Sequence, residues 1–472
     1  MEADIVIRGA QVVTADAVFG ADVGIAGEKI VAVGNSIKAR RSIDASGKHI
    51  IPGAIDSHVH FRTPGYEYKE DWQTGTGAAA RGGVTTVLEM PNTNPPTGTL
   101  EALRMKQGIA ARQAYIDYGI YGLLDEKNID QLEALIDAGV SGFKCFMGNT
   151  FGDLPAPSDG AMLEGFEVLA RRGMRCTVHA ENASIMARRQ AKLEAAGRSD
   201  PLAHLAARPE VCAIEAVSRA VIFAEWTGAR LHIAHKSSKD ALYVLRDAKA
   251  RGVDVTVETC PQYLLLSTED HKRQGNVLRV NPPIREPGHQ EPLWQALREG
   301  LVDMIATDHA PHLPEEKTRA SCWQCDCGFP GVETQMPLML TEVNRGRMSI
   351  SDYVRWACVN PAKAWGLFPN KGVIQPGADA DLAVVDLKRE WSIDQSQLFS
   401  KSKISPWHGR RVQGGPIMTL VRGKIVMEGG RIVAEPGWGR PVRQSMPPSR
   451  PRNLEKTTAS VTAARESIRK IG

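Results

Sequence analysis

A chain of 472 residues with 42% apolar and 24% charged residues suits one large core plus a smaller one, and excludes a disordered or fibrous protein. It contains no run of about 18 apolar residues, so no membrane span is expected. "MEADIVIRGA" lacks an apolar signal region, which makes the cytoplasm the default location. The net charge of +4 arises in residues 441–472, where seven Lys/Arg face two acids, leaving about −1 for the rest; the body carries no basic stripe for nucleic acid.

In chain order, "ADIVIRGAQVVT", "ADVGIAGEKIVAVG" and "RSIDASG" alternate apolar residues with Gly and Asp and predict short strands. The same pattern returns in "DADLAVVDL" and "PIMTLVRGKIVMEGGRIVAEPG". Residues 1–51 and 370–440 are therefore expected to form one small β-sandwich from both ends of the chain. Between them, over 52–369, apolar β-type segments near 54–60, 84–90, 116–124, 140–146, 174–180, 230–236, 253–259 and 302–308 alternate with helical stretches. Examples are "AMLEGFEVLARRG" and "AIEAVSRAVIFAEWTG". Eight βα units predict an α/β fold, a (β/α)8 TIM-like barrel, with its site at the C-terminal strand ends. Residues 441–472 read as a basic tail, an extended arm followed by a short helix. Eight cysteines in a chain this long point to reduced thiols. "CWQCDC" (Cys322, Cys325, Cys327) is close-spaced enough to raise zinc, but a fourth ligand is not evident and a loop of reduced thiols is the simpler reading.

The residues at the predicted strand ends carry the chemistry. Strand one ends in His58 and His60, with Arg62 two positions on; in a strand, such alternate residues share a face. Strand four carries Lys144. Strands five, six and eight end in His179, His235 and Asp308. One histidine in an apolar segment is more often a hydrogen-bonded core residue, and one lysine more often a surface group. Four histidines and an aspartate on one rim of one barrel instead suit a divalent metal, Zn²⁺ among others.

The ordered motifs "PGAIDSHVH", "GFKCFM", "VHAEN", "AHKSS", "ETCPQYL", "NPPIR" and "ATDHAP" resemble the cyclic amidohydrolases of the amidohydrolase superfamily, over about residues 1–440. That group includes dihydroorotases, hydantoinases, dihydropyrimidinases and allantoinases. The resemblance implies two Zn²⁺ per subunit: His58, His60 and Asp308 on one, His179 and His235 on the other, bridged by carbamylated Lys144 and a hydroxide. It also implies that Asp308 is the catalytic proton shuttle, and that subunits form dimers or tetramers.

The first third, "HFRTPGYEYKEDWQTGTGAAARGGVTTVLEMPNTNPP", is most similar to dihydroorotases. By that likeness Arg62, Asn92 and His312 bind a substrate carboxylate and Asn281 is a further substrate-binding residue, and the expected reaction is reversible hydrolysis of dihydroorotate to N-carbamoyl-aspartate, a pyrimidine-synthesis step. "GFKCFM" and "SPWHGRRVQGGPIMTLVRGK" look closer to allantoinases and hydantoinases, which are the alternative. "TRASCWQCDCGFPG" fits neither group and falls where a substrate-facing loop is expected. A non-catalytic scaffold of the same fold would have lost ligands; here every expected ligand position is filled.

Overall fold

The computed structural model describes residues 2–148, 150–152 and 154–444, so most of the basic tail lies outside the described residues. Eight parallel strands form its centre: Ala54–Val59 (β1), Val84–Glu89 (β2), Asp117–Leu123 (β3), Gly142–Phe146 (β4), Arg175–His179 (β5), Arg230–Ile233 (β6), Val255–Thr259 (β7) and Met304–Ile305 (β8). Each pairs in parallel with the next. A parallel bridge between Val59 and His309 closes the ring. The (β/α)8 barrel expected from the alternation of strands and helices is thus the fold.

The strands are buried almost throughout, because helices cover the outside and side chains fill the inside. That is why they read in sequence as nearly continuous apolar runs. The helices start on side-chain caps: Asp71 before Trp72–Arg81, Thr99 before Leu100–Gln113, Ser158 before Asp159–Arg171 and Asn182 before Ala183–Ala195. Each cap accepts a backbone N–H that the first turn would otherwise leave unpaired.

Strand β8 is shorter than the segment 302–308 predicts. After Ile305 the chain leaves the ladder because the Asp56 carboxylate captures Thr307: its N–H lies 3.1 Å and its hydroxyl 2.6 Å from the two Asp56 oxygens. Asp308 then takes a left-handed conformation, φ 51°. The row His58, His60, Arg62 is also not one strand. β1 ends at Val59, and Arg62 is turned inward by a left-handed φ of 62° rather than by strand alternation.

The chain ends build two further sheets. One orders Lys29–Gly34, Asp22–Ala26, Ala3–Arg8 and Ala39–Asp44; the other places His49–Pro52 beside Leu382–Ser392, which pairs on its far side with Arg411–Val421. Ile7, Val23, Ile25 and Ile30 from the first pack with Ile50, Leu382, Val384 and Leu420 from the second in one apolar cluster. Between this sandwich and β1, Gly53 passes against Thr85, where a Cβ would lie 2.2 Å from the threonine side chain. The sandwich is tied to the N-terminal end of β3 by buried charges. Lys371 Nζ lies 2.7 Å from Asp117 and 2.6 Å from Asp381, and Arg422 Nε lies 3.1 Å from Asp117. Among the described residues, no helix is long and apolar enough to cross a membrane.

Candidate metal and substrate site

At the C-terminal ends of the strands lies a small cavity of about 30 Å³, lined by His58, His60, Lys144, His179, His235 and Asp308. Arg62, Asn92, Phe151, Asn281 and Cys327 complete its wall. All six residues expected to hold metal therefore meet in one place, although they come from five strands.

Nε2 of His58 and of His60 lie 3.2 and 3.1 Å from the same Asp308 oxygen, and the three donors together fit around one cation. His179 Nδ1 faces His235 Nε2 at 3.0 Å. Lys144 Nζ is buried without a hydrogen-bond partner. Burial pushes His58 down to about 4, an effect increased by the Lys144 charge, and holds His60 and His235 well below the ordinary imidazole range. Neutral imidazoles with lone pairs converging on a carboxylate are the state a divalent metal requires. Burial also brings Lys144 down to about 8 and raises Asp308. The donor set fits a divalent cation: an orphaned buried amine and clustered lone pairs are costly without one.

Two carboxylates that strand-end reasoning missed fix the ring orientations. Glu258, on β7, accepts from His58 Nδ1 at 2.5 Å, His232 Nε2 at 3.0 Å, Ser57 Oγ at 2.9 Å and the His235 N–H at 3.1 Å. Although buried, it is held well below the usual carboxylate range by the two rings. An ionised carboxylate only accepts, so His58 carries its proton on Nδ1 and turns Nε2 to the cavity. Glu181 does the same for His179: it accepts from Nε2 at 2.9 Å, leaving Nδ1 toward His235. Against the cost of burial, Arg208 and His179 hold Glu181 at about 2. The available signal was the acid within "VHAEN" and "ETCPQYL".

The expected substrate residues divide. Asn281 lines the cavity and its Oδ1 accepts from His204 Nε2 at 2.9 Å. Asn92 also lines it, but its Oδ1 lies 2.7 Å from His60 Nδ1, so it first serves to orient a metal-ligand ring. Arg62 is 1% exposed; Nε reaches Pro311 O at 3.4 Å and Nη2 reaches His312 Nε2 at 3.0 Å, while Nη1 has no partner. His312 does not line the cavity. It is fully buried behind Arg62, with both ring nitrogens engaged by protein groups, so the structure does not bring it to the cavity wall with Arg62, Asn92 and Asn281. Of the three cysteines in "CWQCDC", Cys325 Sγ donates to Arg319 O and Ser321 O, and Cys327 Sγ lies 3.9 Å from His204 Nε2. Among the described residues, no candidate metal cluster contains a cysteine.

Residues 49–426 match the model of the Amidohydrolase family. The chain belongs to the amidohydrolase family. This amidohydrolase is 36% identical to an L-hydantoinase of Paenarthrobacter aurescens, with 93% of this chain and 97% of that protein covered. It is 37% identical to an allantoinase of Deinococcus radiodurans, with 92% and 98% covered. Among solved structures, an L-hydantoinase (dihydropyrimidinase) from Arthrobacter aurescens superimposes with a TM-score of 0.91 at 36% identity, covering 93% of this chain and all of that one. These likenesses support a cyclic amidohydrolase and fit the alternative, the hydantoinases and allantoinases, better than the expected dihydroorotase of pyrimidine synthesis, for which they give no support. The dihydroorotase likeness rested on Arg62 and its neighbours, and those neighbours surround the guanidinium with protein groups.

Proposed function

We propose that this amidohydrolase opens a ring amide in an uncharged cyclic ureide of the hydantoin or allantoin type, giving the corresponding N-carbamoyl product. One observation carries the choice of an uncharged ring over dihydroorotate. The Arg62 guanidinium belongs to a group that also holds Lys69, Glu316 and Asp326, two cations and two anions, with His312 pushed down to about 4 by burial and by Arg62. Its positive charge is already balanced. What remains for substrate is the unpartnered Nη1, one donor for a neutral ring carbonyl rather than a two-pronged clamp for a carboxylate.

The metal reading is two Zn²⁺, with His58, His60 and Asp308 as ligands of one, His179 and His235 of the other, and Lys144 shared. Such ions would supply Lewis acidity and a water of lowered pKa. Lys144, brought down to about 8 by burial, is partly an amine near neutrality. Its Nζ can add to CO₂ with loss of one proton, giving a carbamate whose oxygens supply the anionic ligand an ammonium cannot. Asp308, raised by burial, suits taking a proton on its carboxylate and returning it to the ring nitrogen as the C–N bond breaks. Arg62 Nη1 and Asn281 orient the ring.

The test is steady-state hydrolysis by the zinc-loaded enzyme of hydantoin, allantoin, dihydrouracil and dihydroorotate. A neutral ring is expected to have the highest kcat/KM; preference for dihydroorotate would overturn the reading.

A further inference from the structure

The segment "TRASCWQCDCGFPG" contributes Asp326, one of the two anions of the group around Arg62. Asp326 Oδ2 lies 2.7 Å from Lys69 Nζ and 3.0 Å from His312 Nδ1. His312 Nε2 in turn lies 3.0 Å from Arg62 Nη2. Lys69 is 1% exposed, reaches Glu316 at 2.9 Å and sits 4.4 Å above the Phe151 ring, whose centroid also lies 4.5 Å from the Arg62 guanidinium. His312, Glu316 and Asp326 have the spacing of a cation site, and the Lys69 ammonium occupies it.

Asp326 is ionised: His312 and Lys69 hold its carboxyl below the usual range against the cost of burial. The His312 ring is held at both nitrogens: Nδ1 lies 3.0 Å from Asp326 Oδ2 and 3.0 Å from Lys69 Nζ, and Nε2 lies 3.0 Å from Arg62 Nη2 and 3.1 Å from Cys327 O. Lys69 is then satisfied by Asp326, Glu316 and the Phe151 face. This chain fixes the guanidinium with Nε and Nη2 engaged and Nη1 left for the cavity. Charge counting gives Asp326 a second part. Arg62, Lys69 and Glu316 alone sum to +1, and Asp326 brings the group to zero.

We propose that Asp326 sets the charge preference of the site: it completes the neutralisation of Arg62 and Lys69 and, through His312, presents Arg62 to the ring as a single donor. The inference rests on the neutral-ring reading above. Asp326 is a positioning and specificity-determining residue, since it acts on substrate through His312 and Arg62.

The experiment compares zinc-loaded full-length wild type, Asp326→Asn and the double variant Lys69→Met/Asp326→Asn on hydantoin and dihydroorotate. Metal content and thermal melts are recorded for each. In Asp326→Asn the ratio of kcat/KM for dihydroorotate over hydantoin should rise about tenfold, about 1.4 kcal/mol, chiefly through KM. Removing Lys69 as well restores neutrality and should return the ratio to within about threefold of wild type. Dihydroorotate as a competitor of hydantoin turnover reads the same shift in Ki. If Asp326→Asn does not fold, Glu316→Gln removes one negative charge from a neighbouring position and should shift the ratio in the same direction. Equal losses on both rings, or a double variant no different from the single, would overturn the proposal. A wild type that prefers dihydroorotate would instead overturn the neutral-ring reading, while the change of ratio on substitution would still decide the part played by Asp326.

Discussion

Glu258 on β7 and His58 on β1 are joined at 2.5 Å across the strand that separates them, and the same carboxylate holds His232. Removing that acceptor frees the ring to choose either tautomer. Glu258→Gln should weaken zinc affinity by about 10–100-fold. Competition with a chromophoric chelator checks it; unchanged affinity would show that His58 needs no partner to orient it.

Lys144→Ala should lower both zinc content and turnover, the latter by at least about a hundredfold (about 2.7 kcal/mol). A short carboxylic acid such as acetate or propionate should restore part of the activity by replacing the lost anionic ligand. Metal analysis and rates with and without the acid make the check, and full zinc with normal turnover would exclude a bridging lysine.

Arg62→Met removes the Nη1 donor. On hydantoin it should raise KM about tenfold (about 1.4 kcal/mol) with a smaller effect on kcat, because the contact is made to the bound ring and not to the breaking bond. A loss confined to kcat would move Arg62 from binding to chemistry.

Lys106 and Glu89 form a second buried pair, 2.6 Å apart and each 1% exposed. Lys106→Met leaves a carboxyl that burial already raises to about 7 without its counter-charge. The expected loss of stability is about 3 kcal/mol. Glu89→Gln in the same chain should recover part of it, as read by chemical denaturation.

His312 also predicts a pH response. Its pKa is about 4 in the folded protein, against about 6.5 for an unperturbed imidazole. Between these values the unfolded chain binds more protons, so stability present above pH 6.5 is lost as pH falls through 4, by about 2–3 kcal/mol. Burial lowers His58, His60, His179, His204, His232 and His235 as well, so they contribute in the same direction. The measurement is therefore the change in Tm between pH 7 and 4.5, which should be smaller in His312→Gln than in wild type. Parallel curves would mean that His312 is protonated in the folded state.

The barrel was legible because each strand is buried on both faces and so appears as an apolar run with a polar residue at its end. The convergence of the candidate metal ligands was legible for the same reason: His58, His60, Lys144, His179, His235 and Asp308 stand at or beside those ends. What sequence spacing could not show is contact between distant segments. Glu258 looks like any strand acid until β7 closes toward β1. His312 sits two residues beyond Ala310 on the cavity wall yet points behind it. Arg62 appears to invite a carboxylate until Glu316 and Asp326 are seen to share its charge. The proposed change of substrate class therefore rests on tertiary electrostatics, for which a row of alternating residues is no guide.

The pairing of His49–Pro52 with Leu382–Val385 has a consequence for the nascent chain. The early strand emerges from the ribosome hundreds of residues before its partner. At roughly 5–20 residues per second, its edge waits on the order of tens of seconds while the whole barrel is made. Until then the edge that meets Leu382–Val385 has no partner strand, although Ile50 can already pack on the sheet of Ala3–Arg8 and Asp22–Ala26. Synthesis of this protein thus includes an interval in which the sandwich is incomplete and one strand edge is unpaired.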